Sequence, residues 1–227
     1  MSPPNDLPFE TSHEAGVTRL QFVQTILETR VLDRLLEFLA VQSQCDVPPP
    51  ILLCSDHPTV FLAGAHLGEI AELDATTCVG YARRGRRVVQ AFSEYPAPTV
   101  AAIDGSCSGG GFDLALGCDA IVAGPNARFH HPGVRRGLVT GWSGTTVLPG
   151  LLGPNLVRRA LVAAQPLTPE ELAAVGLVTK VNGDPVIRGM EMARDLAAVG
   201  SRRMDLWRLL RGPGFVDRFR ATVVHKL

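Results

Sequence analysis

Apolar positions along the chain change period in a regular way. In GVTRLQFV, Val17, Leu20 and Phe22 suit a strand near a sheet edge, and in TRVLDRLLEFLAVQ, Val31, Leu35, Leu36 and Leu39 repeat at helical spacing. The run in PPPILLC is continuously apolar, as a strand buried on both faces is, and DHPTVFLAGAHLGEI after it reads as a loop rich in small residues. TTCVGYARRGRRVVQAFSEY predicts a second long helix, ended by Pro96 and Pro98, and TVAAIDG predicts another buried strand. Next comes SCSGGGFDLALGCD, in which three glycines stand ahead of a helix through FDLALGC, and DAIVAG predicts a further strand. LTPEELAAVGLVTKV predicts a helix capped by Thr168, with Pro169 at its start and Gly176 near its end, leading into a strand over 177–181. Strand and helix alternate throughout, which predicts an α/β fold with a largely parallel sheet.

Composition narrows the class without naming a ligand. With 227 residues and 46% hydrophobic content, the chain can bury a core of one domain with a small appendage. Lys plus Arg equals Asp plus Glu at 22 each, so no global field points to nucleic acid. Five cysteines without a CxxC pair argue against a zinc site, leaving no metal expected, and against a disulfide scaffold, so a reducing compartment is expected. MSPPNDLPFE lacks the order of a signal peptide and no apolar run is long enough for a membrane span, so the expectation is a soluble, cytoplasmic protein. The stretch RMDLWRLLRGPGFVDRFRATVVHKL is basic and partly helical, placed to lie on a neighbouring subunit.

The glycine triplet asks what must approach the main chain so closely. A dinucleotide fingerprint needs glycine where Leu114 stands, a phosphate loop needs lysine where Gly111 stands, and neither Ser106 nor Ser143 has both glycines of a hydrolase elbow. What remains is a helix N-terminus with unshielded amides at the positive end of a dipole, where a transient oxyanion gains more than its neutral precursor. Close helix packing is the other reading of the same glycines.

PAPTVAAIDGSCSGGGFDLALGCDAIVAGPNARF resembles the central signature of the enoyl-CoA hydratase/isomerase (crotonase) superfamily, and the similarity continues through GLVTGWSGTTVLPGLLG and PLTPEELAAVGLVTKV. FLAGAHL is similar to that family's other landmark loop, and the match spans roughly residues 50–182. The resemblance implies a spiral of ββα units over 1–182, with 183–227 as a helical segment for oligomerisation, a homotrimer or hexamer. It also implies a thioester carbonyl held between the amides of Ala65 and Gly110. Coenzyme A, as part of the substrate rather than a cofactor, would meet backbone near Ala63 and Leu67, and Gly109 and Trp142 would line the substrate site.

Two acid positions depart from the family's hydratases. The first glutamate is replaced by Asp113 and the second by Gly133, in FHHPG. Paired carboxylates hold water and move the α-proton, so the usual hydration route loses one partner. Asp113 also has a plain role, since an acid in a first turn complements the helix dipole. His130 and His131 precede Gly133; adjacent residues in an extended segment point opposite ways, so at most one faces the site, and position favours His131. His66 stands where the family has an aspartate and reads as a hydrogen-bonding substitute. Cys107 near a helix start would have a lowered pKa, and RRGRR at 83–87 either attracts phosphates or forms a solvated face. The expected function is an acyl-CoA or acyl-carrier thioester enzyme of the hydratase/isomerase type. A decarboxylase on a malonyl-type thioester and a catalytically silent subunit are the alternatives, with a serine hydrolase further off.

Overall fold

The computed structural model describes residues 7–200 and 204–205. A six-stranded sheet takes the order β1 (Phe9–Glu14), β2 (Val17–Phe22), β4 (Ile51–Ser55), β7 (Thr99–Ile103), β9 (Ala120–Ala123), β11 (Thr179–Lys180). Only β1 and β2 pair antiparallel; every other neighbour is parallel. The numbers missing from that order belong to two small parallel sheets. One joins β3 (Ile26–Leu27) to β6 (Gly64–Ala65), and the other runs β10 (Arg128–His130), β8 (Ser106–Ser108), β5 (Val60–Leu62).

Alternation along the central strands sends side chains to two apolar layers. Leu53, Ala101, Ile103 and Ile121 face the larger core, beneath α1 (Thr29–Ser43), α3 (Cys78–Ser93) and α4 (Gly110–Gly117). Leu52, Val100, Ala102 and Val122 face the smaller one, closed by α7 (Pro185–Val199) through Ala193. Burial on both faces is why these strands read as unbroken apolar runs. The helical part of the 183–227 segment that the structure describes therefore covers the sheet itself, and the basic stretch from 206 onward lies outside the described residues.

Three expectations change. The stretch 56–70, expected as a loop, contains β5, β6 and the start of α2 (Leu67–Ala71), because small parallel pairings with β8 and β3 order it. Gly110 and Gly111 are inside α4 and only Gly109 precedes it, so two of the three glycines are helical. The strand over 177–181 shortens to β11. β1 has no counterpart in the sequence pattern because it is an edge strand whose residues are almost all exposed, leaving no alternation to read. α5 (Gly144–Val157) was hidden by Pro149 and Pro154, and it is kinked at Gly153, where φ is 71°. Beyond α5 a π-helical turn over Arg158–Val162 leads to α6 (Pro169–Ala174), whose cap is as expected: the Thr168 hydroxyl accepts from the Glu171 amide, and Glu171 reaches back to the Thr168 amide.

Candidate active site

Two backbone segments meet because neither carries a Cβ where they touch. At Gly64, φ is 98°, and a Cβ there would lie 2.7 Å from the Ser108 carbonyl oxygen and 2.9 Å from the Gly110 nitrogen. Only glycine lets β6 press against the corner between β8 and α4. The Ser108 hydroxyl donates to the Ala63 carbonyl at 2.8 Å, holding the two together. At the corner Gly109 has φ 52°, and its amide donates to the His130 carbonyl at 2.9 Å, which ties in β10. The Gly110 and Gly111 amides open α4 and have no partner within the helix, at the positive end of its dipole.

Trp142 accounts for two more glycines. A Cβ on Gly110 would lie 2.3 Å from its ring and one on Gly85 2.0 Å, so the indole packs directly against the start of α4 and the middle of α3. RRGRR is thus a solvated face interrupted by a packing glycine: Arg83, Arg84, Arg86 and Arg87 are exposed, Arg84 pairs with Asp33 at 3.2 Å, and Gly85 is buried.

Asp113 points from the first turn of α4 into full burial. The Thr140 hydroxyl donates to Oδ2, and the backbone of Ser143 and Gly144 stands against the carboxyl. Burial outweighs these partners and pushes the pKa up to about 7. His131 Nε2 lies 3.5 Å from Oδ1, and neither atom has a hydrogen-bond partner among the described residues. The imidazole stacks on Phe112, centroids 5.4 Å apart, and burial, with His130 adding to it, lowers its pKa to about 4. Between about pH 4 and 7 the pair therefore holds one proton, on the carboxyl side, beside a neutral imidazole. A Cβ on Gly144 would lie 2.6 Å from Oδ1 and 2.8 Å from Nε2, so this glycine makes room for the pair.

These groups open onto one cavity of about 600 Å³. Ala63, Ala65 and Leu67 line it from one side, Gly109, Gly110 and Asp113 from the start of α4, and His131, Gly133 and Trp142 from the segment after β10. His66 is the exception among the expected residues: its Nδ1 accepts from the Glu69 amide at 3.2 Å as the cap of α2, and it does not line the cavity. His130 also turns away, pairing with the Ser106 hydroxyl at 3.3 Å. Cys107 is corrected as well, because complete burial raises its thiol pKa where proximity to a helix start was expected to lower it. Tyr81, Arg136 and Thr140 also line the cavity. Nothing in the sequence pattern marked the first two, since a half-buried tyrosine on a helix and an arginine in a turn are ordinary. Among the described residues no His, Cys, Asp and Glu cluster could hold a metal ion, and no helix is long and apolar enough to cross a membrane.

A second cavity of about 380 Å³ lies beyond the ends of β4 and β7. Its acids are already engaged: Asp56 accepts from Gln21, Asp104 from Asn126, and Asp184 caps α7.

The mostly parallel sheet, the two small side sheets and the glycine-built corner define a crotonase fold. The chain superposes on the enoyl-CoA hydratase of Thermoplasma volcanium GSS1 with a TM-score of 0.84 at 18% identity, over 96% of this chain and 90% of that one. It belongs to the enoyl-CoA hydratase/isomerase family, whose model matches residues 27–199. It is 32% identical over 170 residues to the mitochondrial methylglutaconyl-CoA hydratase of Mus musculus, covering 72% of this chain and 54% of that protein. To the crotonyl-CoA hydratase of Syntrophomonas wolfei it is 35% identical over 121 residues, 53% of this chain and 46% of that one. The chain spans about half the length of the curated relatives it matches.

Proposed function

We propose that this chain is an enzyme acting on an acyl-CoA thioester, of the lyase or isomerase type, through an enolate held by main-chain amides. The thioester oxygen lodges between the Ala65 and Gly110 amides, with the carrier passing the backbone at Ala63 and Leu67 and the acyl chain resting among Trp142, Gly133 and the apolar wall. Charge that builds on this oxygen is stabilised most in a site where donors are fixed and water is excluded, and one such donor lowers the barrier by about 3 kcal/mol. The α-proton then becomes acidic enough for Asp113, with His131 beside it, to move. The observation that carries this reading is the buried Asp113 carboxyl, 3.5 Å from His131, in the same apolar cavity as the backbone of Ala65 and Gly110. Family membership and the names of the relatives support the thioester as substrate. Coenzyme A enters as part of the substrate, with no other cofactor. All five cysteines are free, which fits the cytoplasm, and a trimer or paired trimers is the assembly that goes with this reading.

One observation favours a second reaction on the same site. Asp113 is the one carboxylate lining the cavity among the described residues, with Gly133 at the position of the other. Decarboxylation of a malonyl-type thioester needs no base: the C–C bond breaks, carbon dioxide leaves, its electron pair enters the enolate, and Asp113 in its protonated form returns a proton to the α-carbon.

Incubation with acyl-CoA and malonyl-CoA thioesters in heavy water, with product analysis and a pH series, tests both. Proton abstraction requires the Asp113 carboxylate, so α-deuterium exchange is expected to rise as pH rises through about 7. Decarboxylation requires the acid form and is expected to fall over the same range. Asp113→Asn should lower either rate by roughly 10²- to 10⁴-fold. Neither exchange nor turnover with any thioester would make the chain a silent member of its fold.

A further inference from the structure

The two oxygens of the buried Asp113 carboxyl are not equivalent. Oδ2 accepts from the Thr140 hydroxyl, whereas Oδ1 and His131 Nε2, 3.5 Å apart, have no hydrogen-bond partner among the described residues. A protonated carboxyl accepts through its carbonyl oxygen and donates through the other. An oxygen that already receives a hydroxyl hydrogen is the acceptor, so the proton belongs on Oδ1. That O–H has an imidazole nitrogen opposite it, and an imidazole facing a proton must keep Nε2 bare and carry its own hydrogen on Nδ1.

The structure holds Thr140 in the orientation this requires. Thr140 lies on the segment between the turn Pro132–Arg136 and α5, with Thr145 donating to its carbonyl at 3.3 Å. A Cβ on Gly144 would lie 2.9 Å from Thr140 Cγ2 as well as against Oδ1 and Nε2, so the three side chains pack around one glycine with the threonine methyl seated on it. A β-branched side chain is stiff at χ1, and with the methyl placed there the hydroxyl is left facing Oδ2. Few other groups bear on the proton. The buried residues of α3 and α5 are glycine or apolar, burial keeps the Cys107 thiol of β8 protonated, and His130 turns to the Ser106 hydroxyl. Of the partners that favour the ionised carboxyl, Thr140 acts more strongly than the backbone of Gly144 and Ser143.

We propose that Thr140 is the positioning residue of the acid pair: by holding Oδ2 with its hydroxyl, it places the carboxyl proton on Oδ1 and sets His131 in the tautomer with hydrogen on Nδ1. The inference deepens the reading of Asp113 as the group that moves the proton, and rests on it for any effect on rate. The place of the proton itself is a property of the folded chain without substrate.

Nuclear magnetic resonance on the unliganded protein tests it. Between about pH 4 and 7 the nitrogen-15 signals of His131, identified by their absence in His131→Gln, are expected to show hydrogen on Nδ1 and a bare Nε2. Thr140→Val keeps the branched shape and deletes the donor, which frees the proton to move to Oδ2 and lets Nε2 gain hydrogen. The Asp113 carboxyl carbon, identified by its absence in Asp113→Asn, should then titrate roughly 1–2 pH units higher than in the wild type, because a hydrogen bond to the charged form is lost. Thr140→Ser supplies the donor again and should bring both readings back. Hydrogen on Nε2 in the wild type over this range would overturn the proposal, and that measurement decides alone if Thr140→Val does not fold. A carboxyl midpoint in Thr140→Val within about 0.3 pH unit of the wild type would overturn it too, leaving Thr140 as a tie between its segment and α4. Absence of exchange or turnover with every thioester would sink the reading of Asp113 as proton carrier without altering these spectra, so the two failures are distinct. Where exchange occurs, its pH profile should move up with the carboxyl.

Discussion

At the scale of single residues the decisive pair is Asp113 and His131, whose ordinary pKa order is inverted by burial. The carboxyl rises from 3.8 to about 7 and the imidazole falls from 6.5 to about 4. Between about pH 4 and 6.5 the unfolded chain carries the proton on the imidazole and the folded chain carries it on the carboxyl, so the two states bind equal numbers and the pair adds little pH dependence to stability. Single substitutions uncover the halves. In His131→Gln only the raised carboxyl remains: its stabilisation is complete below about pH 4 and lost as pH rises to about 7, so stability should fall over that window. In Asp113→Asn only the depressed imidazole remains: its stabilisation is complete above about pH 6.5 and lost as pH falls to about 4, so stability should rise with pH. Urea midpoints measured across pH 4 to 8 should show opposite slopes in the two variants, amounting to roughly 2–4 kcal/mol each. Parallel slopes would mean that burial does not shift the two groups in opposite directions. Asp113 was legible as a candidate because the resemblance places a hydratase glutamate at its position, at the start of a helix. Its inverted pKa was not, because both the burial that raises it and the partners that oppose it, Thr140, Ser143 and Gly144 some 30 positions away in the chain, are set only by the fold.

At the scale of elements, the helices that read clearly carry local signals, and those that did not lack them. α6 has a full reciprocal cap, and Glu171 within it also pairs with Arg159 of the π-helical turn. Thr168→Ala removes one half of this box and should cost about 1 kcal/mol, seen as a lower thermal midpoint without change in the activity per folded molecule. A larger loss would show that α6 does more than close the sheet edge beside β11. The segment from β5 to α2 is the opposite case. Its small residues look like a loop, yet Gly64 and Ala65 become a strand because β3 offers an edge and the glycine-built corner of α4 offers a surface with no side chain in the way. Pairing of this kind is non-local, and no window of the sequence contains both partners.

At the scale of the whole molecule, a sheet covered on both faces explains most of the architecture. Helices α1, α3 and α4 close one layer and α7 the other, where Gly189 lets the helix sit directly on the strands: a Cβ there would lie 2.6 Å from Leu52 Cδ1 and 3.3 Å from Ala102. Gly189→Val should push α7 off the sheet and cost about 1–3 kcal/mol by overpacking, measurable as a lower urea midpoint. Since the cavity lies on the other side, α7 can be loosened without touching Asp113 or Tyr81, and ligand affinity should survive under conditions where the variant remains folded. The sequence by itself determined the α/β class, the order of the central strands' apolar runs, the caps of α6 and the glycine cluster at the start of α4, because each is a property of period or of residues within a few positions. Only the tertiary structure decided which glycines touch, that Trp142 roofs Gly110, that His66 and His130 turn away while His131 turns in, and that the Tyr81 hydroxyl is left without a partner. Those outcomes depend on which surfaces meet and how much water remains between them, and neither quantity is written in any local stretch of chain.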